Sequence, residues 1–157
     1  MRIVKFGSYS GSSYPNLRFH PSLPDRVLEG AVSLLLLAVL GTTFYFHFKI
    51  HWVGVEPSFG WMMAGASFFT TLLLGVSAYL PMRCYSFPFR LTDRNAGVQC
   101  MLAVRTVRVM NILLNGVLLS CLLSVADVGF SKLPVSVCGV LLALTFIVYY
   151  VLAYKYR

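Results

Sequence analysis

Four apolar runs divide the chain, at residues 27–46, 60–80, 107–126 and 134–154. Each is close to the roughly 20 residues that a helix needs to cross a bilayer. None alternates polar and apolar positions as a barrel strand does, which leaves helices as the way to satisfy the backbone in lipid. The pattern predicts an all-α fold, an integral membrane four-helix bundle. Only Glu29 and Arg108 carry charge within the runs, and both sit near a run's end. Residues 1–25 read as an N-terminal cytoplasmic or interfacial segment, and 26–157 as the transmembrane domain.

The longest polar stretch, YSFPFRLTDRNAGVQCMLAVRTVRVMN, lies at residues 85–111, before and into the third run. Thr92 followed by Asp93 and Asn95 predicts a helix start at about residue 92. A helix over 93–126 has 34 residues and is about 50 Å long at about 1.5 Å per residue. The hydrocarbon core is about 30 Å thick, so the long third helix is expected to project into the cytoplasm by its first three turns. Arg105, Arg108, Asn111 and Asn115 fall within an arc of about 120° on it, at about 100° per residue. Such a stripe faces other helices or a water-filled cavity rather than lipid. It reads either as interhelical hydrogen bonding or as a polar binding site.

Glu29 enters at the same depth on the first run and is expected to pair with Arg105 or Arg108. Asp25, following Pro24, reads as the N-cap of the first helix. The second run holds Ala64, Gly65, Ala66, Ser67, Gly75, Ser77 and Ala78, small residues that predict a central helix approached closely by the others. Phe44, Tyr45, Phe46, Phe48 and Trp52 read as one interfacial aromatic belt. Tyr149, Tyr150, Tyr154 and Tyr156, with Lys155, read as the other.

Composition strengthens the membrane reading. The chain is 58% hydrophobic and only 11% charged, against about a quarter charged in soluble domains. Lys and Arg distribute as 4, 1, 5, 1 and 2 over the N-terminal segment, the three connections and the C-terminal tail. That alternation puts both termini and the 82–106 segment in the cytoplasm. The net charge of +8 then reads as affinity for anionic membrane lipids and not for nucleic acid.

Reactive chemistry is thin. His47 and His51 have the spacing of metal ligands on a helix, with Glu56 as a third donor, but interfacial anchoring is the simpler reading, and neither metal nor cofactor is assigned. Cys84, Cys100, Cys121 and Cys138 are dispersed, without CxxC spacing, and read as reduced. With five acids in the chain and no Ser/His/Asp set, a non-enzymatic role is expected.

The 85–108 segment resembles a pattern in a family of small bacterial membrane proteins of unknown function (domain of unknown function sixteen forty-eight). That family is related to the membrane domain of the immunity protein against sporulation-delaying toxin. Pro88, Thr92, Asn95, Ala96, Gln99, Ala103, Arg105 and Arg108 stand at matching places, as do Asp25, Leu28 and Glu29 in DRVLEG. IHW at 50–52 and FG at 59–60 are similar to its outer loop, although the usual Pro and Asn are missing and the loop is short. The similarity runs over roughly residues 15–125. It implies a multi-pass protein of the bacterial inner membrane, of the immunity or envelope-stress kind. Such a protein would meet membrane lipids and a peptide or membrane-protein partner. A minimal transporter, or an accessory subunit of one, is the competing reading.

Reporter fusions test the topology. N- and C-terminal fusions should both score as cytoplasmic and a fusion at Val55 as external; an external C-terminus overturns the four-span count.

Overall fold

The computed structural model describes residues 8–9, 21–49, 58–81, 84–92, 94–125 and 133–156. Helices α1 (Leu23–Lys49), α2 (Ser58–Ser77), α3 (Ala96–Val125) and α4 (Leu133–Lys155) make up nearly all of it. All four contain stretches long and apolar enough to cross a membrane. Their outer faces leave Leu34, Leu37, Phe68, Phe69, Leu72, Val140, Phe146 and Ile147 exposed. A surface this apolar is stable in lipid and adhesive in water.

Two strand fragments, β1 (Ser8–Tyr9) and β2 (Leu91–Thr92), pair antiparallel, Ser8 opposite Thr92 and Tyr9 opposite Leu91. The pairing ties the N-terminal segment to the stretch before α3. α3 starts later than expected: Thr92 stands in β2 and does not cap it. Its first α-helical bond is donated by Gln99 N to Asn95 O at 2.9 Å, which makes Asn95 the N-cap. The Asn95 side chain turns back and accepts from Thr92 N at 2.7 Å. Asp93 lies outside the described residues.

α1 is likewise capped one turn earlier than expected. Ser22 O accepts from Arg26 N at 3.1 Å, and Ser22 N donates to Asp25 Oδ2 at 3.0 Å. Ser22 is therefore the N-cap, and Asp25 is the third helical residue reaching back to its N–H, one half of a capping box with Asp in the usual Glu position. The last three residues of the expected N-terminal segment belong to the helix.

The central helix is α3, not α2. α3 packs on α1, α2 and α4, and α4 packs chiefly on α3. The reason lies in which small residues face inward. Ala64, Ser67 and Ala78 are buried, but Gly65 and Gly75 have open space where a Cβ would stand, so they bring no neighbour close. α3 instead buries Ala96, Gln99, Ala103, Val104, Arg108, Asn111, Asn115 and Leu122.

Two apolar clusters bracket these polar residues. One joins Val39 and Phe46 of α1, Ala64 of α2 and Leu122 of α3. Phe46 is thus core rather than belt, whereas Phe44, Tyr45 and Phe48 are exposed. The other cluster joins Ala78, Leu91, Ala96, Cys100 and Val104, with Tyr85 and Phe87 packed against it. Burial there pushes the Tyr85 phenol up to about 12, so it stays a neutral donor to Ser77 O at 2.5 Å.

The α3–α4 register can be checked by crosslinking. A Cβ at Gly116 would stand 3.5 Å from Cys138 Sγ, so Gly116→Cys should form an intramolecular disulfide with Cys138 under mild oxidation. Intact mass should fall by about two hydrogens, within the geometric reach of a disulfide. Adding Cys138→Ser should abolish it; an unchanged mass in the single variant refutes the packing.

Candidate binding site

The charged residues near the start of α3 meet those at the start of α1. Asp25 and Glu29 lie one turn apart on α1, and Arg105 and Arg108 lie nearly one turn apart on α3, so each pair shares a helix face. Arg105 Nε lies 3.2 Å from Asp25 Oδ1, and Arg108 Nη1 lies 3.0 Å from the same oxygen. Arg108 Nη2 donates to Glu29 Oε1 at 2.6 Å. Glu29 therefore pairs with Arg108 and not with Arg105. Ser22 closes the outer edge: its hydroxyl donates to Asp25 Oδ2 and accepts from Arg105 Nη2 at 3.2 Å.

α2 joins through Tyr79. Its hydroxyl donates to Glu29 Oε1 at 2.6 Å, and its ring centroid is 5.8 Å from the Arg108 guanidinium carbon, within cation–π range. Deeper in the bundle, Asn115 is wholly buried and joins α2 and α3. Its Oδ1 accepts from the Ser67 hydroxyl. Its Nδ2 lies 3.1 Å from Thr71 Oγ1 and 2.8 Å from Asn111 Oδ1. Buried amides joined in this way hold helices together in an apolar solvent.

A cavity of about 150 Å³ opens between α1 and α2 where the ion pairs meet the amides. Glu29, Ser33, Thr71, Tyr79, Arg108 and Asn111 bring polar groups to it, and Val32, Leu74 and Gly75 are among its apolar lining. Gly75 thus contributes space rather than contact. Its volume is about that of a cavity that admits a benzene ring.

The family-motif positions have structural work. Thr92 and Asn95 form the turn that starts α3, and Pro88 is exposed in the irregular stretch before it. Gln99 Nε2 donates to Ala153 O at 2.8 Å and to Tyr156 O at 3.3 Å. It thereby satisfies carbonyls at the end of α4 that a helix leaves without partners. His47 packs edge-on against Phe48 and Trp61, with ring centroids 5.1 and 5.6 Å away; His51 and Glu56 lie outside the described residues. Among the described residues no group of three metal-binding side chains forms, and all four cysteines are free.

No family model matches the chain, and no match to it was found among curated proteins or solved structures. The likeness over residues 15–125 therefore rests on the motif residues alone. Sequence reasoning missed the shared role of Asp25 and the parts played by Tyr79, Ser67 and Thr71. Asp25 was findable, because it lies four residues before Glu29 and so faces the same arginine pair.

The two carboxylates should differ in weight. Asp25 has no exposed side-chain surface and Glu29 about a third, 35%. Breaking a buried pair costs about 3–5 kcal/mol. Asp25 lies in the first turn of α1, at the bundle's end, so Asp25→Asn should cost less, about 2 kcal/mol. Glu29→Gln should cost about 1 kcal/mol or less. Unfolding in mild detergent measures both. Double-mutant cycles for Asp25/Arg105 and Glu29/Arg108 should give couplings above about 0.5 kcal/mol; additive losses would remove the network.

Proposed function

We propose that the chain is a non-enzymatic multi-pass protein of the bacterial inner membrane, of the immunity or envelope-stress kind. Its cavity between α1 and α2 receives a side chain of an amphipathic partner peptide. The cavity carries the proposal. It places a carboxylate, a guanidinium, a phenol and a carboxamide around a space of about 150 Å³. Groups of both signs suit the mixed polarity of a peptide better than a simple ion. The apolar lining beside them suits a ligand already lying in the bilayer.

In this reading both termini and the start of α3 face the cytoplasm. α3 has 30 residues, about 45 Å at about 1.5 Å each, so its first turns extend beyond a hydrocarbon core of about 30 Å. Arg105 and Arg108 then lie near the inner boundary, where charge is tolerated. Asn115 serves the fold, because its amide is taken up by Ser67, Thr71 and Asn111. Glu29, Tyr79, Arg108 and Asn111 form the receiving end. The transporter reading draws no support from α1–α4, which run without an internal break.

A photoreactive phenylalanine at Ser33, on the cavity wall, should capture a polypeptide in cells. The same probe at Phe69, on the outer face of α2 and 63% exposed, should not. Gly75→Leu should fill the cavity and remove the Ser33 adduct while the protein still accumulates in the membrane. Equal capture at the two sites, or capture unaffected by Gly75→Leu, refutes the proposal.

A further inference from the structure

The seam between α3 and α4 carries a second, chemically different site. At its open end is a cup of about 420 Å³ lined by Thr92, Arg94, Asn95 and Val98 before and along the first turn of α3, and by Lys155 and Tyr156 at the end of α4. That volume falls within the roughly 300–1,000 Å³ of small-ligand sites. Arg94 and Lys155 are exposed, and among the described residues neither has an acidic partner. Even with Asp93 included, Arg94 and Lys155 set two cations against one acid. The cup also lies where the negative end of α4 is weakened, because Gln99 occupies the carbonyls of Ala153 and Tyr156. The start of α3 adds its own positive end.

Deeper in the same seam is a groove of about 340 Å³, walled by Leu102, Thr106 and Val109 of α3 and Leu141, Val148 and Leu152 of α4. The two spaces follow one line. Val98, Leu102 and Val109 fall within about 40° on α3, and Leu141, Val148, Leu152 and Lys155 within about 60° on α4, at about 100° per residue. The run from Val98 to Val109 is about 16 Å long. Arg105 also borders the groove, but its guanidinium is held by Asp25 at 3.2 Å, so a basic cup in line with a largely apolar trough has the polarity of a phospholipid.

We propose that the α3–α4 seam binds one anionic phospholipid, its phosphate between Arg94 and Lys155 and an acyl chain along the groove. A free phosphate would use the cup and leave the groove without purpose. Basic pockets beside membrane helices are built to hold such headgroups. The site is separate from the cavity between α1 and α2, so either can fail without the other.

The test uses the full chain reconstituted in phosphatidylcholine vesicles containing spin-labelled phosphatidylglycerol or spin-labelled phosphatidylcholine. The fraction of label immobilised by protein is read by electron paramagnetic resonance. Each cation contributes about fivefold to headgroup affinity, so the wild-type chain should prefer phosphatidylglycerol by at least about fivefold. The double variant Arg94→Gln/Lys155→Gln should fall to near parity. Arg26→Gln, which changes an exposed cation of α1, should keep the preference. Val148→Trp fills the groove without altering charge and should also remove it. Excess inorganic phosphate at constant ionic strength should leave the preference standing. Circular dichroism and the thermal midpoint confirm that each variant is folded. Parity in the wild-type chain overturns the proposal, as does full preference in the double variant. Displacement by phosphate together with indifference to Val148→Trp assigns the cup to a free anion and overturns the lipid.

Discussion

One carboxylate oxygen, Oδ1 of Asp25, lies within 3.2 Å of two arginines. Arginine cannot shed its charge at any accessible pH, and uncompensated charge in an apolar bundle is costly. α3 carries two such charges, so it must meet acids at a matching depth. α1 supplies both in its first two turns. The depth of α1 against α3 follows from that match, and Tyr79 brings the end of α2 to the same place. Ser22 then serves twice, capping α1 and holding the carboxylate that the arginines share.

Below this layer the bundle uses neutral polar groups, which cost less to bury than charges. Asn115 satisfies itself with Ser67, Thr71 and Asn111, within reach of two helices. The apolar cluster of Val39, Phe46, Ala64 and Leu122 continues the packing toward the other end. From Arg105 onward α3 passes from ions to amides to hydrocarbon, while its first turns pack in the apolar cluster of Ala96, Cys100 and Val104. The cavity lies at the step from ions to amides, where side chains change length and α2 presents Gly75.

The motif before α3 works by closing backbone valences. Asn95 caps α3, its side chain holds Thr92, and Gln99 reaches across to the last carbonyls of α4. These residues fix where α3 starts and where α4 ends beside it. The likeness to the small bacterial membrane-protein family falls largely on this turn and on the arginines after it.

The number of apolar helices and the inward polar stripe were legible in the sequence, because length, hydropathy and the helical period are local properties. The pairing of Glu29 with Arg108 was half legible: like depth suggested it, but the choice between two arginines depends on how α1 rotates against α3. The cap of α3 was misplaced by three residues because Thr92 is also a good cap. Only its pairing with Ser8, more than eighty residues away in sequence, takes it into a strand. Small residues in the second run suggested a central α2, yet Gly65 and Gly75 face open space and α3 holds the centre. Composition counts small side chains but not the direction in which they point. The chain by itself therefore determined how many helices form and which of their groups must be hidden. Which helix lies in the middle, which acid meets which arginine and where cavities remain were decided by tertiary packing, because those depend on rotations and depths that no single helix specifies.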